Sequence, residues 1–165
     1  MATTYEERQS FEQPKSKVLR MFSDRVYFER KYAASGGWDI RVLEHELSGG
    51  HFRIKCSYHR KPDADVPAFA RKFIGDSVQV VQEDVWDLEA ATGRLSIGLH
   101  NMPVRMSAEM RVVDEPGGCA NVLQWTMHCG VPLIGGRLEQ MLADEMRNKA
   151  AADLEISRRL LRDYV

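Results

Sequence analysis

The last thirty-five residues constrain the fold most. Val131-Pro132-Leu133-Ile134-Gly135-Gly136-Arg137-Leu138-Glu139 joins a strand-like run to a helical pattern extending from about Gly136 to Tyr164. Leu138, Leu142, Met146, Ala150 and Leu154 recur at one turn per step, Leu161 continues the stripe, and Met141 and Ala151 broaden it. Residues four apart share a helix face, so this helix carries an apolar stripe that needs a partner surface. Arg158, Arg159 and Arg162 gather in its last turns, where positive charge suits the helix dipole.

The preceding chain supplies a sheet. Residues 3–11 read as a first strand, crowded with charge at Glu6, Glu7 and Arg8. Pro14 opens a short helix with Val18, Leu19 and Phe22 on its apolar face. Ser23-Asp24 offers capping chemistry for a second helix, in which Val26, Tyr27, Arg30 and Ala34 recur at helical spacing before Gly36-Gly37 stops it. From Trp38 the period changes to two. Trp38, Ile40 and Val42 alternate with charge, Ser48-Gly49-Gly50 turns the chain, and Phe52, Ile54, Cys56 and Tyr58 alternate with polar residues. Further strands follow around Val78 to Trp86, Arg94 to Leu99, Met106 to Val112 and Leu123 to Cys129, with a strong turn at Glu115-Pro116-Gly117-Gly118. Short turns between successive strands predict an antiparallel meander. Residues 62–76 interrupt it: Val66, Phe69, Ala70, Phe73 and Ile74 fall at helical spacing, which predicts an amphipathic helix serving either as a connector or as a lid.

At 165 residues the chain fits one domain, residues 1–165. With 23 basic and 24 acidic residues it has no overall basic excess, so nucleic acid is not the expected partner. No apolar run approaches the roughly eighteen residues of a membrane-spanning helix. The first residues are charged where a signal peptide is apolar, giving a cytoplasmic expectation. Cys56, Cys119 and Cys129 form no CxxC pair, which suits a reducing compartment. His45, His51, His59, His100 and His128 show no zinc-ligand spacing, and no metal or cofactor is expected. No GxSxG turn marks a serine nucleophile.

Four stretches carry a family likeness: Val66-Pro67-Ala68 with Phe73-Ile74-Gly75-Asp76; Gln82-Glu83-Asp84-Val85-Trp86; Met102-Pro103; and Pro132-Leu133-Ile134-Gly135-Gly136-Arg137-Leu138-Glu139. With the element order they resemble the START and birch-pollen-allergen superfamily, SRPBCC, and within it a bacterial family, domain-of-unknown-function family 2505. The resemblance implies an α+β helix-grip fold, a curved antiparallel sheet of about seven strands wrapped on a long C-terminal helix. Superfamily members bind lipids, sterols, plant hormones or polyketides between sheet and helix. Some catalyse cyclisation or hydration there, and others are interaction modules. No shared catalytic residue transfers to this chain, and fold likeness alone assigns no function.

The expected concave face carries Phe52, Ile54, Cys56, Tyr58, Val78, Val80, Trp86, Met106, Met110, Leu123, Trp125 and Met127, facing Leu138, Met141, Leu142, Met146 and Leu154. Phe69 and Phe73 join this lining from the interrupting segment. Asp84 shares phase with Val80 and Trp86. It either points inward as a polar ligand contact or, on a bulged strand, meets solvent. Gly135-Gly136 reads as a sharp turn with close helix approach, or as a phosphate site. His59-Arg60-Lys61 and Arg71-Lys72 are either solvated faces or contacts for an anionic headgroup, which leaves transient membrane contact open. The leading expectation is noncatalytic binding of a small hydrophobic or amphipathic molecule, lipid-like or polyketide-like. The alternatives are a cyclase or lyase using Asp84, Tyr58 or a histidine, a protein-interaction module, and a core with no hollow at all. Oligomeric state stays open.

Overall fold

A computed structural model describes residues 2–62, 71–72 and 75–165. Strand β1 (Thr3–Phe11) leads into helices α1 (Lys15–Phe22) and α2 (Arg25–Ala34). Strands β2 (Trp38–Ser48), β3 (His51–Arg60), β4 (Val78–Asp87), β5 (Thr92–Leu99), β6 (Val104–Glu115) and β7 (Gly118–Cys129) follow, and helix α3 (Gly135–Leu161) comes last. The seven strands form one antiparallel sheet in the order β1-β7-β6-β5-β4-β3-β2. The meander runs from β2 to β7, and the first strand closes onto the last. The amphipathic segment expected over residues 62–76, with Phe69 and Phe73, lies largely outside the described residues.

Period-two patterning translates directly into burial. On β3, Phe52, Ile54, Cys56 and Tyr58 are buried; on β6, Met106, Ala108, Met110 and Val112. Gly93, opposite Trp86 in the register, clears space for the indole: a Cβ there would stand 2.8 Å from the ring and 2.6 Å from the Val85 carbonyl oxygen.

Helix α2 differs from expectation. Of Val26, Tyr27, Arg30 and Ala34, only Tyr27 is buried: Val26 is 53% exposed, Arg30 and Ala34 are exposed, and Phe28 and Tyr32 complete the inward face. Larger aromatic surfaces win the inward face because they remove more apolar area from water. Asp24 caps the helix by accepting from the Val26 N–H at 3.0 Å. Aromatic pairs then join both helices to the sheet: Phe22 stacks on Trp86 at 5.4 Å, Phe28 on Phe52 at 5.8 Å and Tyr32 on Tyr58 at 4.4 Å. Each such pair adds about 0.5–1.5 kcal/mol beyond area burial.

Helix α3 starts where Gly135 lets the backbone meet β7; a Cβ there would lie 2.5 Å from the Cys129 carbonyl oxygen. Glu139 is buried and closes this junction. Its Oε2 accepts the Cys129 N–H at 2.9 Å, and its Oε1 accepts the Thr3 hydroxyl at 3.4 Å. The contact stripe also drifts. Steps of four residues advance more than one full turn, so the buried face passes from Leu138 and Ala143 to Ile156, Ser157, Leu160 and Leu161. Leu142, Met146, Ala150 and Leu154 are half-buried, and Ala151, expected to broaden the stripe, is exposed.

Candidate functional site

Two adjoining cavities lie between the concave sheet face and the helices. The outer one, about 90 Å³, has an apolar floor of Val78, Val80, Ile97, Leu99 and Met106, with Leu142 and Met146 above and Arg60, Lys61 and Glu145 at its polar margin. The inner one, about 120 Å³, reaches from Met146 and Ala150 to Trp86 and Trp125 and is walled by Phe22, Tyr27, Phe28, Tyr32 and Tyr58. Tyr58, Arg60, Ile97 and Met146 line both, so the chambers share a partition. A further groove of about 300 Å³ lies elsewhere, between Phe11–Gln13 and Glu155–Arg162.

The inner chamber is polar at its walls. β4 presents Val80, Gln82, Asp84 and Trp86 inward, and all four are buried, so Asp84 points into the protein and not into solvent. Tyr58 Oη donates to Gln82 Oε1 at 3.1 Å, and Gln82 Nε2 donates to Asp84 Oδ1 at 3.1 Å. Burial pushes the Asp84 carboxyl up to about 6; the Lys31 charge and the Gln82 hydrogen bond hold it from rising further. Burial likewise raises Tyr58 to about 12 and Tyr32 well above its ordinary value, with the Asp84 charge adding to both, so both hydroxyls keep their protons at neutral pH. Burial opposes the charge of Lys31, but Tyr27, Asp153 and Asp84 outweigh it and raise its pKa.

A second polar chain comes from β1 and β7. Trp125 Nε1 donates to Glu7 Oε1 at 3.1 Å, Gln9 Nε2 donates to Glu7 Oε2 at 2.7 Å, and Asn121 Nδ2 donates to Gln9 Oε1 at 3.4 Å. Glu7 and Gln9 lie opposite Leu123 and Asn121 in the register and so share their face. Charge crowding hides this alternation in the sequence. The available signal is Tyr5, Glu7, Gln9 and Phe11 at period two. Sequence reasoning also misses Lys31, Tyr32, Asn121 and Asp153, the first two because the α2 spacing points to the wrong face.

Of the expected lining, Tyr58, Val78, Val80, Met106, Leu142 and Met146 border the outer chamber, and Tyr58, Asp84, Trp86, Met110, Leu123, Trp125 and Met146 the inner one. Phe52, Ile54, Cys56, Met127, Leu138, Met141 and Leu154 border neither. Phe52, Ile54 and Met127 are wholly enclosed in the main core, Phe52 beneath Phe28, while Leu138 and Met141 pack with Val104 and Cys129 where α3 meets β7. Inward phase does not separate packed core from cavity wall. Among the described residues no cluster of three metal-ligating side chains occurs, and no helix is long and apolar enough to cross a membrane. Cys56, Cys119 and Cys129 are free and buried.

The chain belongs to the family described as protein of unknown function DUF2505, which it matches over residues 6–161. No curated protein matches it. Among solved structures it is similar to TTHA0849 from Thermus thermophilus (18% identity, TM-score 0.63, covering 99% of this chain and 98% of that one). It is also similar to Ara h 8.0201 (14% identity, TM-score 0.67, 99% of each chain) and to the Zhui aromatase/cyclase of Streptomyces sp. R1128 (14% identity, TM-score 0.66, 98% of this chain and 94% of that one). These likenesses show the fold, a birch-pollen-allergen-like helix grip.

Proposed function

We propose that this member of a family of unknown function binds a small amphipathic ring compound in the paired chambers, without chemistry as its primary role. The observation that carries the reading is the adjoining pair itself: an apolar outer space and an aromatic, polar-walled inner space separated by Tyr58 and Met146. Native interiors are otherwise close-packed, and hollows beside flexible methionines adapt to guests. The volumes set the ligand's size. An apolar cavity of about 150 Å³ takes a benzene ring, and typical ligand sites span roughly 300–1,000 Å³. Each chamber alone, at about 90 and 120 Å³, falls short of that size, so a guest of one or two rings would occupy both, with Met146 moving aside, and a sterol or a two-chain lipid is too large. The Zhui protein's name as an aromatase/cyclase agrees with ring-sized guests on this fold. The expected setting is cytoplasmic. Native mass spectrometry of protein purified from its own cells tests the proposal. A co-purified small molecule supports it; empty protein that shows no mass shift with cell extracts contradicts it.

One observation favours a second reading, proton-transfer catalysis: Asp84, Lys31, Tyr32 and Tyr58 line a single cavity, as acid–base chemistry requires. In that reading the Asp84 carboxylate removes a proton from carbon beside a carbonyl group and returns one from solvent. Small ketones incubated with the protein in heavy water would gain deuterium there, and Asp84→Asn would abolish the gain. No exchange above the protein-free rate excludes it.

A further inference from the structure

Of the sheet's two edges, one is tied down and the other is open. On β1, Arg158 of the final helix donates to the Ser10 carbonyl oxygen at 2.7 Å, and the Thr3 hydroxyl donates to Glu139. Among the described residues β2 pairs only with β3, and every residue from Leu43 to Ser48 is exposed. Edge strands of monomers are usually guarded by short length, charge or proline. β2 runs for eleven residues, has no proline, and leaves Leu43 51% and Leu47 55% exposed. An edge built this way accepts another strand.

The pattern of β2 fits it to a second copy of itself. Leu47, His45 and Val42 lie opposite Phe52, Ile54 and Cys56, the buried alternate residues of β3, and so face inward, as does Ile40, which packs on the core. Glu46, Glu44 and Arg41 lie opposite Arg53, Lys55 and Ser57 and face outward, and the bulge at Leu43 sets that residue beside Glu44 on the outer side. A two-fold axis between Leu43 and Glu44 then sets Ile40 against the partner's Leu47, Val42 against the partner's His45, Arg41 against the partner's Glu46 and Leu43 against the partner's Glu44. Inward residues meet inward ones, and outward residues meet outward ones. Sliding the strands by one or two residues either way puts at least one inward residue against an outward one, so the bulge leaves a single register in phase. That register joins opposite charges twice, at Arg41 and Glu46, and covers each exposed Leu47 with an Ile40. Within one chain Arg41 meets Asp39 at 3.2 Å, a surface pair that water weakens.

We infer that β2 is a self-association surface: two copies of this chain join antiparallel along β2, in the register that pairs Arg41 with the partner's Glu46 and Ile40 with the partner's Leu47, and the two sheets continue as one. Main-chain hydrogen bonds between the open edges supply attraction, and the cross-strand charge and apolar pairs fix the register. No β2 residue lines either chamber, so the inference stands apart from ligand binding.

Sedimentation equilibrium of the full chain, at concentrations up to about 1 mM, tests it. The expected species is a dimer in exchange with monomer. Arg41→Glu turns both ion pairs into repulsions and should weaken the dimer at least tenfold, roughly, and Glu46→Arg should do the same. The double variant restores opposite charges across the axis and should recover most of the lost affinity. Circular dichroism checks that each variant keeps the fold. A second readout needs no charge reversal. Arg41→Cys protein mixed with Glu46→Cys protein should form a disulfide-linked dimer under mild oxidation in greater yield than either variant alone, since the native cysteines are buried. A chain that stays monomeric throughout, a dimer indifferent to both single reversals, a double variant no better than the singles, or cross-linking no greater in the mixture overturns the inference.

Discussion

Asp84 makes the protein's stability depend on pH in a way that one substitution removes. Its carboxyl rises from 3.8 to about 6 on folding, chiefly because burial disfavours its charge. For an acid whose folded pKa is raised, the protonated form suits the folded state. Stability attributable to this group is thus greatest below the unfolded pKa and is lost as pH rises through the folded value. The loss develops between about pH 4 and pH 6. About two pKa units correspond to roughly 3 kcal/mol at pH 7.5 and about 1 kcal/mol at pH 4.5. Asp84→Asn keeps the shape, stays neutral and still accepts from Gln82, so it should be more stable than wild type by about those amounts. Urea unfolding of both proteins at the two pH values measures the gap, and taking the difference cancels the other carboxylates. At neutral pH the variant's Tm should rise by about 6–12 °C. A gap that does not widen with pH, or a variant less stable at pH 7.5, would refute the reasoning that Asp84 is buried at a cost.

Other substitutions probe the surrounding parts. Lys31→Met removes the positive charge that restrains Asp84, so the Asp84 carboxyl should titrate above about 6; carboxyl-carbon NMR would show this, and an unchanged or lower value would contradict it. Gly93→Ala drives a methyl into Trp86 and the Val85 carbonyl and should cost about 1–3 kcal/mol in chemical unfolding, whereas a neutral effect would mean Trp86 has room to move. Glu139→Ala leaves the Cys129 N–H without its buried acceptor and should cost about 1.5–3 kcal/mol; equal stability would show the junction between β7 and α3 to be hydrated. Leu142→Trp fills the outer chamber and should weaken naphthalene binding at least tenfold, roughly, while leaving the circular dichroism spectrum unchanged.

The meander was legible because every second residue from Phe52 to Tyr58 on β3 and from Met106 to Val112 on β6 is apolar and inward; β7 follows the same period but carries Asn121 at an inward position. The sharp turn at Gly135 and the long final helix were legible for a similar reason, since both rest on local backbone and periodicity. The candidate site was only half legible. Tyr58, Val80, Asp84, Trp86, Met106, Met110, Trp125 and Leu142 fall on chamber walls, yet Phe52, Ile54 and Met127, in the same phase, are solid core. Periodicity reports which way a side chain points, not whether anything fills the space before it. Glu7, Gln9, Lys31 and Asn121 were illegible because polar residues at inward positions mimic surface residues. Their satisfaction comes from partners up to 118 residues away, as with Trp125 and Glu7, and no local pattern encodes that pairing.

Methyl NMR of methionine-labelled protein titrated with naphthalene tests most directly whether the space between sheet and final helix is an accessible hollow. Met106 and Met146 line the outer chamber, and Met110 and Met146 the inner one, while Met21 and Met127 are fully enclosed and line neither. Saturable shifts at Met106, Met110 and Met146, with Met21 and Met127 little changed, are the expected result. Saturation with all five methyl signals unmoved, or shifts confined to methionines away from the chambers, would mean that no guest enters.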